Sequence, residues 1–189
     1  MVGRRGSPRD RRSEIIAAAR RDFGSSGYRG ARMERIAELA GVNKQLPFHY
    51  FGSKEGLFSA TLPSLLEALT PHLDPGLSPP EALRRSLEHI EAGAVRYPGT
   101  VAILAQRDSD GDFPRAAASA VAAWRTAMVR VLAAILSEGQ RRGFFRDDID
   151  PESTARSALA TALGMAAAGH EAAAGALSGT IYAEHCSWR

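Results

Sequence analysis

The segment from Met33 to Lys54, MERIAELAGVNKQLPFHYFGSK, constrains the fold of this chain more than any other. Apolar residues recur in its first part at helical spacing, which places one group on a single face: Met33, Ile36, Ala37 and Ala40. Gly41 predicts the end of that helix, because glycine readily adopts the left-handed conformation that follows helix C-termini. Asn43 can accept a backbone N–H and start a second helix almost at once. Such a pair predicts a helix-turn-helix, whose second helix enters the DNA major groove.

A longer stretch, residues 12–57, resembles the DNA-binding domain of TetR-family transcriptional regulators. The resemblance rests on short groups that follow the family's order and spacing: Ile15-Ile16-Ala17-Ala18-Ala19, Phe23, Gly27-Tyr28, Ile36-Ala37, Ala40-Gly41-Val42, His49-Tyr50-Phe51, Ser53-Lys54-Glu55 and Leu57-Phe58. It implies an all-α protein with an N-terminal three-helix helix-turn-helix domain and a C-terminal helical bundle for ligand binding and dimerisation. The expected division is a flexible basic arm at 1–11, a DNA-binding domain at 12–58 and a sensor and dimerisation domain at 59–189.

Charge is distributed unevenly along the chain. Residues 1–59 hold 12 Lys and Arg against 6 Asp and Glu, whereas the remainder holds 12 against 15. A basic first third indicates a polyanionic partner, although it can also serve solubility alone. The single cysteine, Cys186, excludes a disulfide within the chain. With no apolar run of about 18 residues and no secretory signal, a cytoplasmic protein is expected.

Nine residues are expected to contact DNA: Arg32, Asn43, Lys44, Gln45, Leu46, Phe48, His49, Tyr50 and Lys54. Lys54 resembles the family's phosphate-binding lysine. At the base edges, Lys44 suits guanine, Gln45 suits adenine and Leu46 suits the thymine methyl group. The partner implied is a double-stranded operator read by a homodimer.

Three positions depart from the family pattern. Ala31 stands in place of a usual Ser or Thr that caps the second helix, a loss expected to cost about 1 kcal/mol. Pro47 replaces an aliphatic residue; it removes a helical hydrogen bond if Asn43 is the cap, but is tolerated if the helix starts later. Phe48 replaces a tyrosine, which removes a hydroxyl that often reaches the DNA backbone.

The C-terminal part reads as helices, with a capping box at Ser78 and Glu81 and a stop at Gly143. Pro63 predicts a kink in the helix that joins the two domains. An unknown small-molecule ligand is expected to contact six residues: Leu62, Leu66, His89, Tyr97, Trp124 and Met128. The simplest alternative for Tyr97, Trp124 and Met128 is a purely structural role in the core.

No catalytic constellation, metal site or cofactor is indicated by the sequence. His170-Glu171 lacks the second histidine of a zinc-protease motif, and the acidic loop at 108–112 lacks the full calcium pattern. The preferred function is therefore a ligand-responsive DNA-binding regulator, most simply a repressor that an inducer releases. Two alternatives stay open: an all-helical small-molecule-binding protein or enzyme, and a non-specific nucleoid-type protein.

Overall fold

A computed structural model describes residues 8–105 and 113–167 of the chain. These residues form eight α-helices: α1 Pro8–Gly30, α2 Met33–Leu39, α3 Leu46–Phe51, α4 Lys54–Glu67, α5 Pro79–Arg96, α6 Pro98–Ala105, α7 Arg115–Arg141 and α8 Pro151–Ala167. The predicted all-α fold is confirmed. Arg4, Arg5, the acidic loop at 108–112, His170 and Cys186 lie outside the described residues.

The first helix begins earlier than an arm at 1–11 implies. It starts at Pro8, so residues 8–11 are helical. It continues through Gly24 and leaves helical geometry at Gly27, whose φ is 68°. Gly24 packs against the Tyr97 ring, since a Cβ there would lie 2.6 Å from Tyr97 Cδ1. The glycine at this position serves close packing and does not end the helix.

The described chain forms two compact units, the first drawn from Met1–Glu67 and Tyr97–Ser119. Its core includes an aromatic cluster in which the Phe58 ring lies 4.9 Å from Phe23, 4.8 Å from Tyr28 and 5.7 Å from Phe113, measured between centroids. Because Phe113 follows α6, a distant part of the sequence completes this core.

The α1 and α6 helices pack closely at Gly99. A Cβ at Gly99 would lie 2.3 Å from the Gly27 backbone nitrogen and 2.6 Å from the Phe23 carbonyl oxygen, distances that no side chain can occupy. The first unit is therefore more than the predicted domain at 12–58, because α4 and the distant α6 both pack on α1.

The second unit is drawn from Ala68–Arg96 and Ala120–Arg189. Within it α5 packs against α8, and a stripe of α5 is buried as its spacing predicts: Leu83, Leu87, Ile90 and Ala94. Trp124 of α7 is buried and its Nε1 donates to Thr70 Oγ1 at 2.9 Å. The α8 helix begins at Pro151, where Asp150 Oδ2 accepts the Ser153 N–H at 2.8 Å.

One helix among the described residues, α7, is long and apolar enough to cross a membrane by length and composition alone. The same test is passed by the core helix of a soluble protein. The α7 helix buries a stripe at helical spacing, namely Val121, Trp124, Met128, Leu132 and Ile135, while Arg125 and Arg130 are exposed. That pattern is typical of an amphipathic helix packed on one side.

Candidate nucleic-acid interface

The end of α2 is fixed by the glycine that the sequence singled out. Gly41 has a φ of 63°, its N–H donates to the Glu38 carbonyl, and the Val42 N–H donates to the Ala37 carbonyl, both at 3.0 Å. This pair of bonds is the Schellman arrangement that ends helices with a left-handed residue. The predicted stop is therefore present, and it sets a sharp turn between α2 and α3.

Asn43 shapes the turn that follows. Its side-chain Oδ1 accepts the Gln45 N–H at 3.0 Å, and its carbonyl accepts the Leu46 N–H at 2.9 Å. The helix starts at Leu46, later than a cap at Asn43 would place it, so Pro47 is its second residue. At that position the missing N–H has no intrahelical partner to lose, and the buried ring packs into the core. The recognition helix is thus short but unbroken.

The turn and α3 present a varied surface to solvent. Lys44, Gln45, Phe48 and His49 are exposed, and 44% of Phe48 is accessible. Leu46 and Tyr50 are half-buried. The His49 and Tyr50 rings meet edge to face at 5.5 Å between centroids. Donors, acceptors and apolar atoms therefore lie side by side, which is what reading base edges in a major groove requires.

Arg12 was not singled out from the sequence, yet it lies beside the recognition helix. Its guanidinium carbon is 5.1 Å from the centroid of the Phe51 ring, the last residue of α3. Such a contact holds a cation near an aromatic face at modest energy. The two residues are far apart in sequence, so spacing rules give no signal for the contact.

The N-terminus of α4 carries the predicted lysine. Ser53 Oγ accepts the Gly56 N–H at 3.0 Å, as expected of a cap. Lys54 Nζ lies 4.9 Å from the centroid of the Tyr28 ring and donates to the Arg29 carbonyl at 3.3 Å. Burial lowers the pKa of Lys54 below its usual value; the neighbouring charges of Arg32 and Arg35 lower it as well, while Asp22 raises it.

Asp22 is a buried acid that sequence reasoning missed. Its carboxylate is 3% exposed and accepts two hydrogen bonds, from the Arg32 backbone N–H at 3.0 Å and from Arg35 Nε. Arg32 occupies the N-cap position of α2 without a capping bond from its own side chain. Asp22 therefore satisfies the N–H of the N-cap residue from α1, while no side chain caps α2, as the alanine at position 31 predicts.

The six predicted ligand contacts are divided between the two units. Leu62, Leu66 and Tyr97 belong to the first unit, and His89, Trp124 and Met128 belong to the second. Arg20 lies over the Tyr97 ring with its guanidinium carbon 5.2 Å from the centroid. In the second unit, His89 Nε2 is buried with no hydrogen-bond partner among the described residues.

No group of three or more His, Cys, Asp and Glu side chains is placed to hold a metal ion within residues 8–105 and 113–167. The His72 and His89 rings have centroids 6.4 Å apart in an edge-to-face contact.

Comparison with known proteins adds independent evidence. Residues 15–61 match the family profile described as bacterial regulatory proteins, tetR family. The chain is 36% identical over 153 residues to the HTH-type transcriptional repressor NicS of Pseudomonas putida, an alignment that covers 78% of this chain and 72% of NicS.

Solved structures show the same fold over nearly the whole chain. A TetR-like transcriptional regulator from Rhodococcus sp. RHA1 superposes with a TM-score of 0.71 at 26% identity, covering 94% of this chain and 97% of that one. AibR, solved in complex with isovaleryl coenzyme A and operator DNA, superposes with a TM-score of 0.72 over 93% of this chain and 100% of its own, at 20% identity.

Proposed function

Because this chain belongs to the TetR family of DNA-binding transcriptional regulators, we propose that it is a dimeric repressor that a small-molecule inducer releases from a near-palindromic operator. Family membership makes it a regulator and not an enzyme. The observation that carries the finer proposal is the tight turn at Gly41, which leaves Lys44, Gln45 and His49 exposed together.

Sequence would be read by the turn and the first residues of α3. Lys44 suits the acceptors of guanine, Gln45 suits the donor and acceptor of adenine, and Leu46 suits the methyl group of thymine. His49 is exposed on the same short helix and Tyr50 supports its ring. Asn43 would contribute through the turn it stabilises, since its side-chain oxygen already accepts a backbone N–H.

Phosphate contacts would come from Arg32 and Lys54. Arg32 is exposed at the start of α2, and Lys54 is held beside Tyr28 at the start of α4. A bound phosphate would favour the charged form of Lys54, which burial disfavours in the free protein. Phe48, which carries no hydroxyl, would contribute apolar contact at this edge and no hydrogen bond.

A near-palindromic operator follows from two-fold symmetry, because a symmetric dimer presents two copies of the same surface. Dimerisation through the C-terminal helices is supported here by the small exposed residues of α8, namely Ser157, Ala160, Thr161 and Gly164, which permit close approach of a partner helix. The cytoplasm is the compartment in which such a protein meets DNA.

An inducer would bind in the second unit, where a buried histidine nitrogen has no partner among the described residues. Trp124 and Met128 are buried in that unit and would provide apolar contact, while His89 Nε2 would provide a polar one. AibR, with its acyl-coenzyme A ligand and its operator, supports an architecture in which one chain holds both. Linkage then requires that inducer and operator weaken each other's binding by the same factor.

The proposal is tested by selecting duplexes from a random library with the purified full-length protein. We expect an enriched inverted repeat that the protein shifts in a gel with steep salt dependence. A library without any enriched motif, or affinity governed by salt alone, would contradict the proposal and favour non-specific binding.

Induction is tested with ligands found by thermal shift, which are added to the protein–operator complex at saturation. Operator affinity that stays constant would refute the coupling between inducer and operator.

Ligand binding measured by thermal shift on variants of the second unit locates the inducer. We expect His89→Leu to weaken ligand binding, and Val95→Ala, an exposed change on the same helix, serves as its control.

A further inference from the structure

A buried carboxylate joins α1 to the start of α2. Asp22 lies in α1, before the change of direction at Gly27, and each of its two oxygens accepts one bond from the second helix. Oδ2 accepts the Arg32 backbone N–H, and Oδ1 accepts the Nε–H of Arg35. A carboxylate that is 3% exposed is costly to bury unless its charge is balanced and its oxygens are bonded.

The arrangement replaces a local capping box. In that motif the third residue of a helix accepts the N–H of the N-cap residue. Here Arg32 is the N-cap residue, so the third helical position is Arg35, a donor that cannot accept. Asp22 supplies the acceptor from another helix, and Arg35 supplies the balancing charge.

Arg35 also reaches the end of α1. Its Nη2 donates to Ser26 Oγ at 3.1 Å and to the Gly30 carbonyl at 3.0 Å, in addition to the Nε bond to Asp22. Since the guanidinium has a rigid planar fork, these bonds fix its orientation as well as its position. Arg35 therefore binds three residues of α1: Asp22, Ser26 and Gly30.

Asp22 also moderates repulsion among the cations that would face phosphates. Lys54 interacts unfavourably with Arg32 and Arg35, while its interaction with Asp22 is favourable. Without this carboxylate, Lys54 would keep the repulsion from Arg32 and Arg35 and would lose the attraction of Asp22.

We infer that Asp22 is a positioning residue for DNA recognition, which through Arg32 and Arg35 holds α2 in the orientation that sequence selectivity requires. The inference rests on the proposed DNA-binding function and adds to it a residue that touches no DNA. Because the turn at Gly41 joins α2 to α3 with little freedom, a change in the position of α2 moves the exposed residues of α3.

The test is Asp22→Asn, measured against two probes. One is the duplex enriched from a random library by the unaltered protein, and the other is a scrambled duplex of the same length and composition. The variant loses one negative charge, so its affinity for the scrambled duplex holds or rises. Its affinity for the enriched duplex falls, and we expect the ratio of the two affinities to drop about tenfold, the effect of losing one charge-assisted hydrogen bond.

The matched control is Asp150→Asn in the second unit, where the carboxylate also accepts a backbone N–H at a helix start. Both variants lose stability, and melting curves define a temperature at which each is folded. Only Asp22→Asn is expected to change the affinity ratio. A purely structural role would leave the ratio constant in both, and simple repulsion of DNA by Asp22 would raise both affinities of Asp22→Asn equally; either result overturns the inference.

If Asp22→Asn does not fold, Arg35→Gln takes its place, because that change keeps the acceptor for the Arg32 N–H. We expect the same fall in the affinity ratio, and an unchanged ratio refutes the inference. Failure of the proposed function can be distinguished from failure of the role inferred for Asp22. An unaltered protein without selectivity refutes the proposed function itself, whereas a selective protein whose variants are equally selective refutes only the role of Asp22.

Discussion

Gln45 is an exposed amide at the start of the recognition helix, where it can pair with a base without first being released from the core. We expect Gln45→Ala to relax base preference at one position in each half-site, at a cost of about 1–3 kcal/mol. The measurement is a repeat of the library selection with the variant. A sequence profile identical to that of the unaltered protein would show that α3 is not placed on DNA as proposed.

Substitution of Lys54 is expected to affect affinity and not base preference. Lys54→Ala should weaken binding to all duplexes alike and reduce the slope of log affinity against log salt by about one, because one phosphate contact is lost. Titrations of enriched and scrambled duplexes at several salt concentrations measure both quantities. A loss confined to the enriched duplex would assign Lys54 to base reading instead.

Asp150 makes stability depend on pH. Hydrogen bonds from the Ser153 backbone and side chain hold the pKa of Asp150 below its ordinary 3.8. Because the folded-state pKa is the lower one, the stabilisation is complete above the unfolded value and is lost as pH falls through the folded value. We expect Asp150→Asn to reduce the loss of urea resistance between about pH 5 and about pH 2. Asp147→Asn, a neighbouring exposed change, is the control, and equal effects would contradict the prediction.

Local rules identified some of these residues and could not identify others. Gly41 acts on backbone groups within five residues of itself, so composition and order suffice to predict it. Asp22 acts on residues 10 and 13 positions away, and nothing in a run of helix-forming residues marks one acid as buried. Arg12 and Phe51 meet only after α1 and α3 have packed.

At the scale of helices, two prolines of the first unit, Pro47 and Pro63, occupy opposite situations. Pro47 is buried in the first turn of α3, where its ring fits the helix, whereas Pro63 lies exposed inside α4, where it removes a hydrogen bond. We expect Pro47→Ala to destabilise the protein by about 1 kcal/mol and Pro63→Ala to stabilise it by up to about 3 kcal/mol. Urea unfolding gives the free energy of unfolding of both variants. If the two substitutions changed it in the same direction, these expectations would be contradicted.

Helix identity was predictable, but helix ends were less so. The apolar spacing of α5 and α7 marks their buried stripes correctly because those stripes follow from local geometry. Gly24 looks in sequence like a glycine that ends a helix, yet it lies inside α1 and admits the Tyr97 ring. Whether such a glycine ends a helix or permits close packing depends on contacts with distant residues, which the order of the sequence does not reveal. The kink at Pro63 stays a prediction.

At the scale of the whole molecule, the proposed dimer sets a spacing requirement on DNA. Two symmetric half-sites should lie about 34–36 Å apart, one turn of the double helix. We expect an insertion of about five base pairs between them, roughly half a turn, to reduce affinity to that of a single half-site. Gel shifts on the lengthened duplex and light scattering of the free protein measure affinity and stoichiometry. Unaltered affinity would indicate that each protomer binds alone.

The all-α helix-turn-helix fold could be predicted from the segment around Gly41, but the extent of the first unit could not. The sequence placed the end of the DNA-binding domain at residue 58, whereas α6 and Phe113 return to pack with α1 and Phe58. Return of a later segment is a property of chain topology, which the residues of the segment do not reveal. The six predicted ligand contacts were divided between two units for the same reason.

That returning segment has a consequence for biosynthesis. When the ribosome has translated Glu67, the unit still lacks the part that ends at Ser119. At about 5–20 residues per second, the missing part takes roughly 3–10 s to appear. Throughout that interval the faces of α1 and Phe58 that later meet Gly99 and Phe113 stay open to water. A nascent chain arrested there is therefore expected to be captured by chaperones before it can engage an operator.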